Sequence, residues 1–413
     1  MSATDETIGT VPRGSSEFSA ARRVKDLVRI RPRALVGGDE GPSPARIAGP
    51  AVVYVIVRLV GLLVLGVLSG IHDRSPSEHL FSWDSDWYLR IAESGYAPTG
   101  QRILNGSGEA DPQSVLAFFP GFPMLTRGVA FLPGVDPPTA AMLVNLAAGL
   151  ACAYGLARLG RIVSGSQRTG LVLVALFAAA PMSIVLSMPY SESLFCALAV
   201  WTLLGVLERR WIQVGVACAL AGTVRHTGAA LIAVVMLAAV VALLYRREGN
   251  RPLVALLAAP CGLLGYLGWV GLRTGEFDGY FEVRQDGWSS SPDGGIATAR
   301  FIGKALSTDE STFVTFAAWI LLGAVALLIC CLDRRIAWPL GLYALLTVVF
   351  VLGTDGLMFA KPRALLPAFP LLLPLAMGLA ARRRPVMLAG VGIFVCFGSW
   401  FSAYALTVWP YAF

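Results

Sequence analysis

The densest mixture of acidic and aromatic side chains lies at residues 82–96, SWDSDWYLRIAESGY. The pattern predicts a short helix that begins after Ser82 as N-cap and ends at Gly95 as C-cap. Asp84 and Asp86 fall in its first turn, where the helix dipole favours carboxylates. A carboxylate in such a position can take a proton from an attacking hydroxyl group, which makes both residues candidates for a general base.

Aromatic side chains accompany the two acids at Trp83, Trp87 and Tyr88. Trp83 and Trp87 are four residues apart and share one helical face, which suits a helix lying in a membrane interface. A sugar-binding site needs aromatic rings on which the sugar stacks and a general base close to them. Two alternatives stay open: the acids only complement the helix dipole, or the D-x-D pair binds a divalent cation. No further clear ligands follow in the sequence, so we favour neither a metal nor another cofactor.

Two more groups of polar residues interrupt apolar stretches. Tyr190 and Glu192 lie in the sequence PYSES, where Glu192 either caps the following helix or acts in a functional site. Arg225 and His226 join two short apolar stretches. They are expected either to meet the phosphate of a lipid-linked substrate or to snorkel to the membrane surface.

Lys361 and Arg363 precede a run of prolines that breaks or kinks the next helix. They are suited to phosphate or to lipid headgroups. Arg58 lies inside the first apolar stretch and is expected to snorkel inward. His72 and His79 are expected to be solvated.

The amino-acid composition indicates the class of protein. Of 413 residues, 56% are hydrophobic and 14% charged, with a mean hydropathy of +0.66, whereas soluble domains carry roughly 25% charged residues. The apolar stretches are mostly near the roughly 20 residues that cross a bilayer. The net charge of +7 comes from short clusters between these stretches, so nucleic acid is not an expected partner.

The sequence therefore predicts an all-α polytopic membrane protein with about eleven spans. Residues 1–48 are predicted to be a disordered basic cytoplasmic tail, and residues 49–413 form the membrane domain. Residues 115–134 contain Pro120, Pro123 and Arg127 and are interpreted as an interfacial or re-entrant element. The predicted spans are 50–71, 138–160, 169–186, 192–207, 211–224, 229–245, 252–272, 313–332, 336–353, 364–381 and 386–408.

Charge asymmetry predicts the orientation. With the N-terminus in the cytoplasm, the inner segments hold 21 of the 33 Lys and Arg residues and the outer loops hold 10. The 26 acids divide the opposite way, with 9 inside and 17 outside. Long outer loops are predicted at about 72–137 and 273–312. We expect a multi-pass plasma-membrane protein whose polar groups meet on the extracytoplasmic side.

Five motifs together resemble the PIG-V family, which comprises the second mannosyltransferase of GPI-anchor synthesis and its bacterial relatives among the GT-C membrane glycosyltransferases. They are W-D-x-x-W-Y-L-R-I-A-x-x-G-Y at 83–96, A-F-F-P at 117–120, P-Y-S-E-S-L-F at 189–195, R-H-T-G at 225–228 and P-R-A-L-L-P-A-F-P at 362–370. Two positions depart from the family pattern: Ala364 replaces an aromatic or larger aliphatic residue, and His226 replaces a small polar residue.

The resemblance implies a GT-C-like fold and an enzyme that moves a sugar, usually mannose, from a polyprenyl-phosphate donor to a lipid-linked acceptor with inversion. Asp84 is then the general base, with Asp86 as second candidate. The resemblance implies that donor phosphate contacts come from Arg225, His226, Lys361 and Arg363, and substrate contacts from Trp83, Trp87, Tyr88, Tyr190 and Glu192. The alternatives are a lipid or sugar transporter without chemistry, and a non-catalytic scaffold.

Overall fold

The computed structural model describes residues 44–97, 104–245, 248–308, 310–333 and 335–411. Helices make up most of this part of the chain, and its extended pairing is limited to one bridge between Pro292 and Thr354. The predicted all-α class is confirmed. Residues 1–43 of the predicted tail lie outside the described residues, and the first helix begins at Pro44.

Long apolar helices form the framework, and the chain is a multi-pass membrane protein. Five of the described helical segments are long and apolar enough to cross a membrane, and the number is six if a bent pair of segments forms one span. The bent pair joins Met358–Ala364 to Leu366–Ala380 at 56°, where the prolines interrupt the backbone. The long helices are α1 (Pro44–Ile71), α5 (Pro137–Ser164), α10 with α11 (Arg251–Ala258 and Cys261–Thr274), α14 (Thr312–Cys331) and α18 (Arg384–Thr407).

Shorter helices account for the other predicted spans. Each of the eleven predicted stretches contains a helix, although α6 covers only the first part of 169–186. Only five or six of the helical segments are long enough for a crossing, so the number of crossings stays a prediction. The shorter helices are α6 (Gln167–Ala178), α7 (Glu192–Glu208), α8 (Trp211–Gly222), α9 (Gly228–Leu244), α15 (Trp338–Leu352), α16 (Lys361–Ala364) and α17 (Leu372–Ala380).

The two predicted outer loops contain helices of their own. The predicted interfacial or re-entrant element, residues 115–134, begins in a 3₁₀ turn (Pro112–Ala117) and contains α4. Helix α4 has ten residues and is too short to span a bilayer. The loop helices are α2 (Pro76–Leu80), α3 (Asp84–Ser94), α4 (Gly121–Ala130), α12 (Gly279–Trp288) and α13 (Ile296–Ser307).

Close backbone packing joins the central helices. Helix α5 begins where the Asp136 carboxylate accepts the Thr139 N–H at 3.0 Å, and it packs against α6 and α7. A Cβ at Gly160 would lie 2.7 Å from the Cα of Gly170, so α5 and α6 can meet only where both side chains are absent.

The prediction that Arg58 snorkels to the inner surface is wrong. Its side chain is 7% exposed and donates to Ser187 Oγ at 3.0 Å, Ser183 Oγ at 3.0 Å and the Ala178 carbonyl at 2.9 Å. The end of α6 and the following 3₁₀ turn offer these acceptors inside the protein, so the guanidinium does not need to reach water.

His79 also differs from expectation. It lies in α2 and is 6% exposed, whereas His72 is exposed. The neighbouring Leu80 packs against a buried cluster that includes Phe401 and Leu406 of α18, and His79 lies beside the Leu406 backbone.

Candidate active site

Helix α3 contains Asp84 and Asp86 in its first turn. It begins at Asp84, with Trp83 as N-cap at φ 61°, and Ser82 is not the N-cap that the sequence predicts. The Ser82 hydroxyl instead donates to the His79 carbonyl at 2.8 Å. The Asp84 N–H donates to the Tyr190 hydroxyl at 3.2 Å, so a side chain more than a hundred residues away supplies the cap.

The Asp84 carboxylate meets a guanidinium across the site. Arg363 Nη2 lies 2.9 Å from Asp84 Oδ2, and Arg363 Nε lies 3.4 Å from Glu192 Oε1. The Arg363 guanidinium carbon lies 5.2 Å from the centre of the Tyr190 ring. Arg363 is therefore held by two carboxylates and one aromatic ring.

Glu192 is a fully buried carboxylate at the first residue of α7. Its side chain has 0% exposure, and Arg225 Nη1 lies 2.7 Å from its Oε1 atom. Arg225 also donates to Ser191 Oγ at 3.0 Å. A buried carboxylate is stable only when paired, so Glu192 fixes Arg225 and Arg363 beside each other.

Aromatic side chains pack around α3. The Tyr88 hydroxyl forms a 2.8 Å hydrogen bond with Ser191, and burial raises the pKa of Tyr88 above its usual range, so the phenol stays neutral. Trp87 is 3% exposed and stacks on Phe118 at 5.4 Å. Trp288 meets Phe118 edge to face at 5.7 Å.

The second outer loop contributes a further cation through α12. Arg284 Nη1 lies 2.9 Å from His226 Nε2, and Arg284 Nη2 donates to Ser290 Oγ at 3.1 Å. Burial, followed by the charges of Arg284 and Arg225, holds the pKa of His226 well below its usual range. The imidazole is therefore neutral at physiological pH.

Lys361 forms hydrogen bonds both to the second outer loop and to the segment that follows α15. Its ammonium donates to Thr298 Oγ1 at 2.5 Å and to the Thr354 carbonyl, and the residue is 4% exposed. The neighbouring Asp355 carboxylate accepts the Ser291 N–H at 2.5 Å and its hydroxyl at 3.0 Å. These bonds hold the loop against the helical core.

Several of these groups line one cavity of about 180 Å³. Six of the residues singled out in the sequence line it: Asp84, Tyr88, Arg225, His226, Lys361 and Arg363. Among the described residues, no group of three or more His, Cys, Asp or Glu side chains lies together as a set of metal ligands.

The other five predicted site residues lie off the cavity wall. Asp86 is exposed on α3 and Trp83 is exposed at its N-cap, while the Trp87 ring packs against Phe118 and Trp288, which line the cavity. Tyr190 and Glu192, each 0% exposed, lie behind Asp84 and the two arginines.

Sequence reasoning assigned no role to several residues of the cavity wall, among them Phe118, Arg284, Trp288 and Asp355. Phe118 stands inside the A-F-F-P motif, which is a usable signal. Arg284 and Trp288 stand in a polar loop without distinctive spacing, so only the tertiary contacts of α12 reveal them.

Comparison with known proteins supports the predicted resemblance. A nematode relative, GPI mannosyltransferase pigv-1 of Caenorhabditis elegans, is 34% identical over 127 residues, covering 27% of this chain and 17% of that protein. No protein-family model matches the chain.

Two solved structures are similar in fold. ArnT from Cupriavidus metallidurans, solved with undecaprenyl phosphate, has a TM-score of 0.52 at 19% identity, covering 84% of this chain and 63% of that chain. The oligosaccharyltransferase AglB from Archaeoglobus fulgidus, solved with an inhibitory peptide and a dolichol-phosphate, has a TM-score of 0.49 at 14% identity and covers 90% of this chain and 57% of that chain. The fold assignment rests on ArnT. The chain spans less than two thirds of the length of each of these proteins. The similarity to ArnT shows a shared fold, in agreement with the resemblance to membrane glycosyltransferases that the sequence motifs suggest.

Proposed function

We propose that this chain, which has the fold of the GT-C glycosyltransferases, transfers mannose or a related sugar from a polyprenyl-phosphate donor to a lipid-linked acceptor. One observation carries the proposal: a carboxylate, Asp84, and the basic side chains of Arg225, Lys361 and Arg363 line the same cavity. A base and a group of cations are the two elements that sugar transfer from a phosphate requires.

In the proposed reaction, Asp84 accepts the proton of the acceptor hydroxyl while the hydroxyl oxygen bonds to the anomeric carbon of the sugar. The bond between that carbon and the phosphate oxygen breaks, and its electron pair stays on the phosphate. Attack opposite the leaving group inverts the configuration at the anomeric carbon. Cations around the phosphate stabilise the negative charge that develops on it.

Roles for the predicted substrate contacts follow from their positions. Tyr88 lines the cavity and is suited to contact the substrate. Exposed Asp86 is less suited than Asp84 to act as base, because its carboxylate lies off the cavity wall. Tyr190 and Glu192 are suited to hold Asp84 and the two arginines from behind.

Donor class, sugar and side of the membrane are parts of the same proposal. The undecaprenyl phosphate bound to ArnT supports a polyprenyl-phosphate donor, and the nematode mannosyltransferase supports mannose. The excess of basic residues in the predicted inner segments supports a cavity on the extracytoplasmic side of the plasma membrane. The fold comparison does not favour a transporter without chemistry.

The test of the base is Asp84→Asn in purified protein supplied with radiolabelled polyprenyl-phosphate mannose and a membrane lipid extract. We expect loss of transfer by at least about a hundredfold, since general-base catalysis contributes roughly 10²–10⁴ in rate. Glu93→Gln, an exposed change in the same helix, is the matched control and should retain activity. Full activity of Asp84→Asn with an unchanged melting temperature would remove Asp84 as the base, and loss in Asp86→Asn alone would transfer the role to Asp86.

A further inference from the structure

The cations of the cavity divide into two pairs according to their partners. Arg225 and Arg363 face carboxylates: Glu192 lies 2.7 Å and 3.4 Å from them, and Asp84 lies 2.9 Å from Arg363. Two guanidinium groups therefore meet two carboxylates. Their charges cancel within the cluster, and little positive potential is left there for a ligand.

Arg284 and Lys361 form the second pair, and their partners are neutral. Arg284 contacts His226 and Ser290, at 2.9 Å and 3.1 Å. Lys361 donates to a threonine hydroxyl at 2.5 Å and to a backbone carbonyl. Within the described residues, no carboxylate lies within 4 Å of either cation, although both line the cavity.

The acids nearest to this second pair are occupied elsewhere. Asp355 accepts two hydrogen bonds from Ser291, at 2.5 Å and 3.0 Å. Asp293 accepts the N–H groups of Gly295 and Ala297 at the start of α13, at 2.8 Å and 2.5 Å. Both carboxylates are thus held by hydrogen bonds within the loop, and they attract Lys361 at longer range, whereas Arg284 has no carboxylate within 4 Å among the described residues.

Lys361 is buried and Arg284 is half-buried, so both cations have lost part of their hydration, and an incoming anion offsets that loss. The planar guanidinium of Arg284 can donate two N–H groups to a phosphate, and the Lys361 ammonium adds a compact charge. Neutral His226 contacts the same guanidinium without adding a competing positive charge.

We propose that Arg284, with Lys361, binds the phosphate of the polyprenyl-phosphate donor, while Arg225 and Arg363 serve chiefly to position Asp84. This inference rests on the proposed function and names the residues of its phosphate site. It adds Arg284, which no sequence motif marks, and it moves the main phosphate contact away from Arg225 and Arg363. The leaving phosphate then lies on the side of α12, and the base lies on the side of α3.

The experiment measures binding of undecaprenyl phosphate to the purified full-length protein in detergent, without any turnover. Quenching of intrinsic tryptophan fluorescence is a suitable signal because Trp288 lines the cavity. We expect Arg284→Gln and Lys361→Gln each to raise Kd about ten- to a hundredfold, the range for charge-assisted hydrogen bonds. Arg300→Gln is the matched control, since Arg300 is exposed on the neighbouring α13, and its Kd should equal that of the wild type.

Further variants separate a local effect from misfolding. Arg284→Lys keeps the charge but not the planar pair of N–H donors, and it should recover part of the affinity lost in Arg284→Gln. Lys361→Gln tests the same site if Arg284→Gln lowers the melting temperature.

Two results would overturn the inference in different ways. Unchanged affinity in Arg284→Gln and Lys361→Gln, with loss of binding in Arg225→Gln, places the phosphate at the first pair and leaves the proposed function intact. Absence of any binding by the wild-type protein instead rejects the polyprenyl-phosphate donor itself, and the inference with it.

Discussion

Replacing Glu192 with glutamine tests the charge balance beneath the cavity. Glu192 has 0% exposure and lies 2.7 Å from Arg225 and 3.4 Å from Arg363. Glutamine keeps the shape and one carbonyl acceptor but removes the charge, so the two guanidiniums would share the single carboxylate of Asp84. Removing one partner of a buried ion pair costs about 3–5 kcal/mol. We expect the lower end of that range, about 3 kcal/mol, because the glutamine carbonyl still accepts a hydrogen bond.

Helix α7 offers a matched control at its other end. Glu208 also meets two arginines, Arg158 at 2.7 Å and Arg210 at 3.2 Å, but its side chain is 19% exposed and theirs are 33% and 55% exposed. Exposed pairs contribute about 1 kcal/mol or less. Thermal unfolding in detergent should therefore show a melting temperature lowered several times more by Glu192→Gln than by Glu208→Gln. Equal, small decreases would refute the assignment of Glu192 as a buried counter-ion.

Two further predictions concern packing and pH. A Cβ at Gly398 would collide with the Ala179 carbonyl, so Gly398→Ala should lower the free energy of unfolding by about 1–3 kcal/mol. The control is Gly392→Ala in the same helix, where a Cβ meets nothing within 4 Å and should not destabilise the protein. Similar melting temperatures for both variants would contradict the close approach of α18 to the end of α6. Because the pKa of His226 is lowered in the folded protein, the unfolded chain binds more protons below about pH 6.5, and wild-type stability should fall there by up to about 1.4 kcal/mol per pH unit. His226→Asn lacks this term, so its stability relative to wild type should rise between pH 7 and 5.5; a pH-independent difference would show that His226 titrates normally.

The positions of the helices and the main groups of the site could be predicted from local sequence. Apolar stretches mark helices because a chain in lipid must satisfy its own backbone hydrogen bonds. Arg225 and Lys361 were recognisable because charged residues at the ends of such stretches are costly without a function. Asp84 was recognisable because it lies among aromatic residues in the first turn of a short predicted helix. These residues line the cavity together.

Partners distant in sequence could not be predicted in this way. The cap of α3 comes from the Tyr190 hydroxyl, although Ser82 has the better local signature. Arg58 is buried because serines from a distant turn accept its hydrogen bonds. Arg284 has no local signature, since its role depends on α12 lying beside His226. In each case the deciding contact joins residues far apart in the chain, which periodicity and spacing do not encode.

The most direct test of the account is product analysis with wild-type protein in sealed vesicles supplied with radiolabelled polyprenyl-phosphate mannose and a membrane lipid extract. The account predicts that the label moves from the donor to a new lipid, with one polyprenyl phosphate released for each sugar transferred, and that Asp84→Asn prevents both changes. Label that crosses the bilayer while still attached to its original carrier, with no new labelled lipid and no released polyprenyl phosphate, would contradict it.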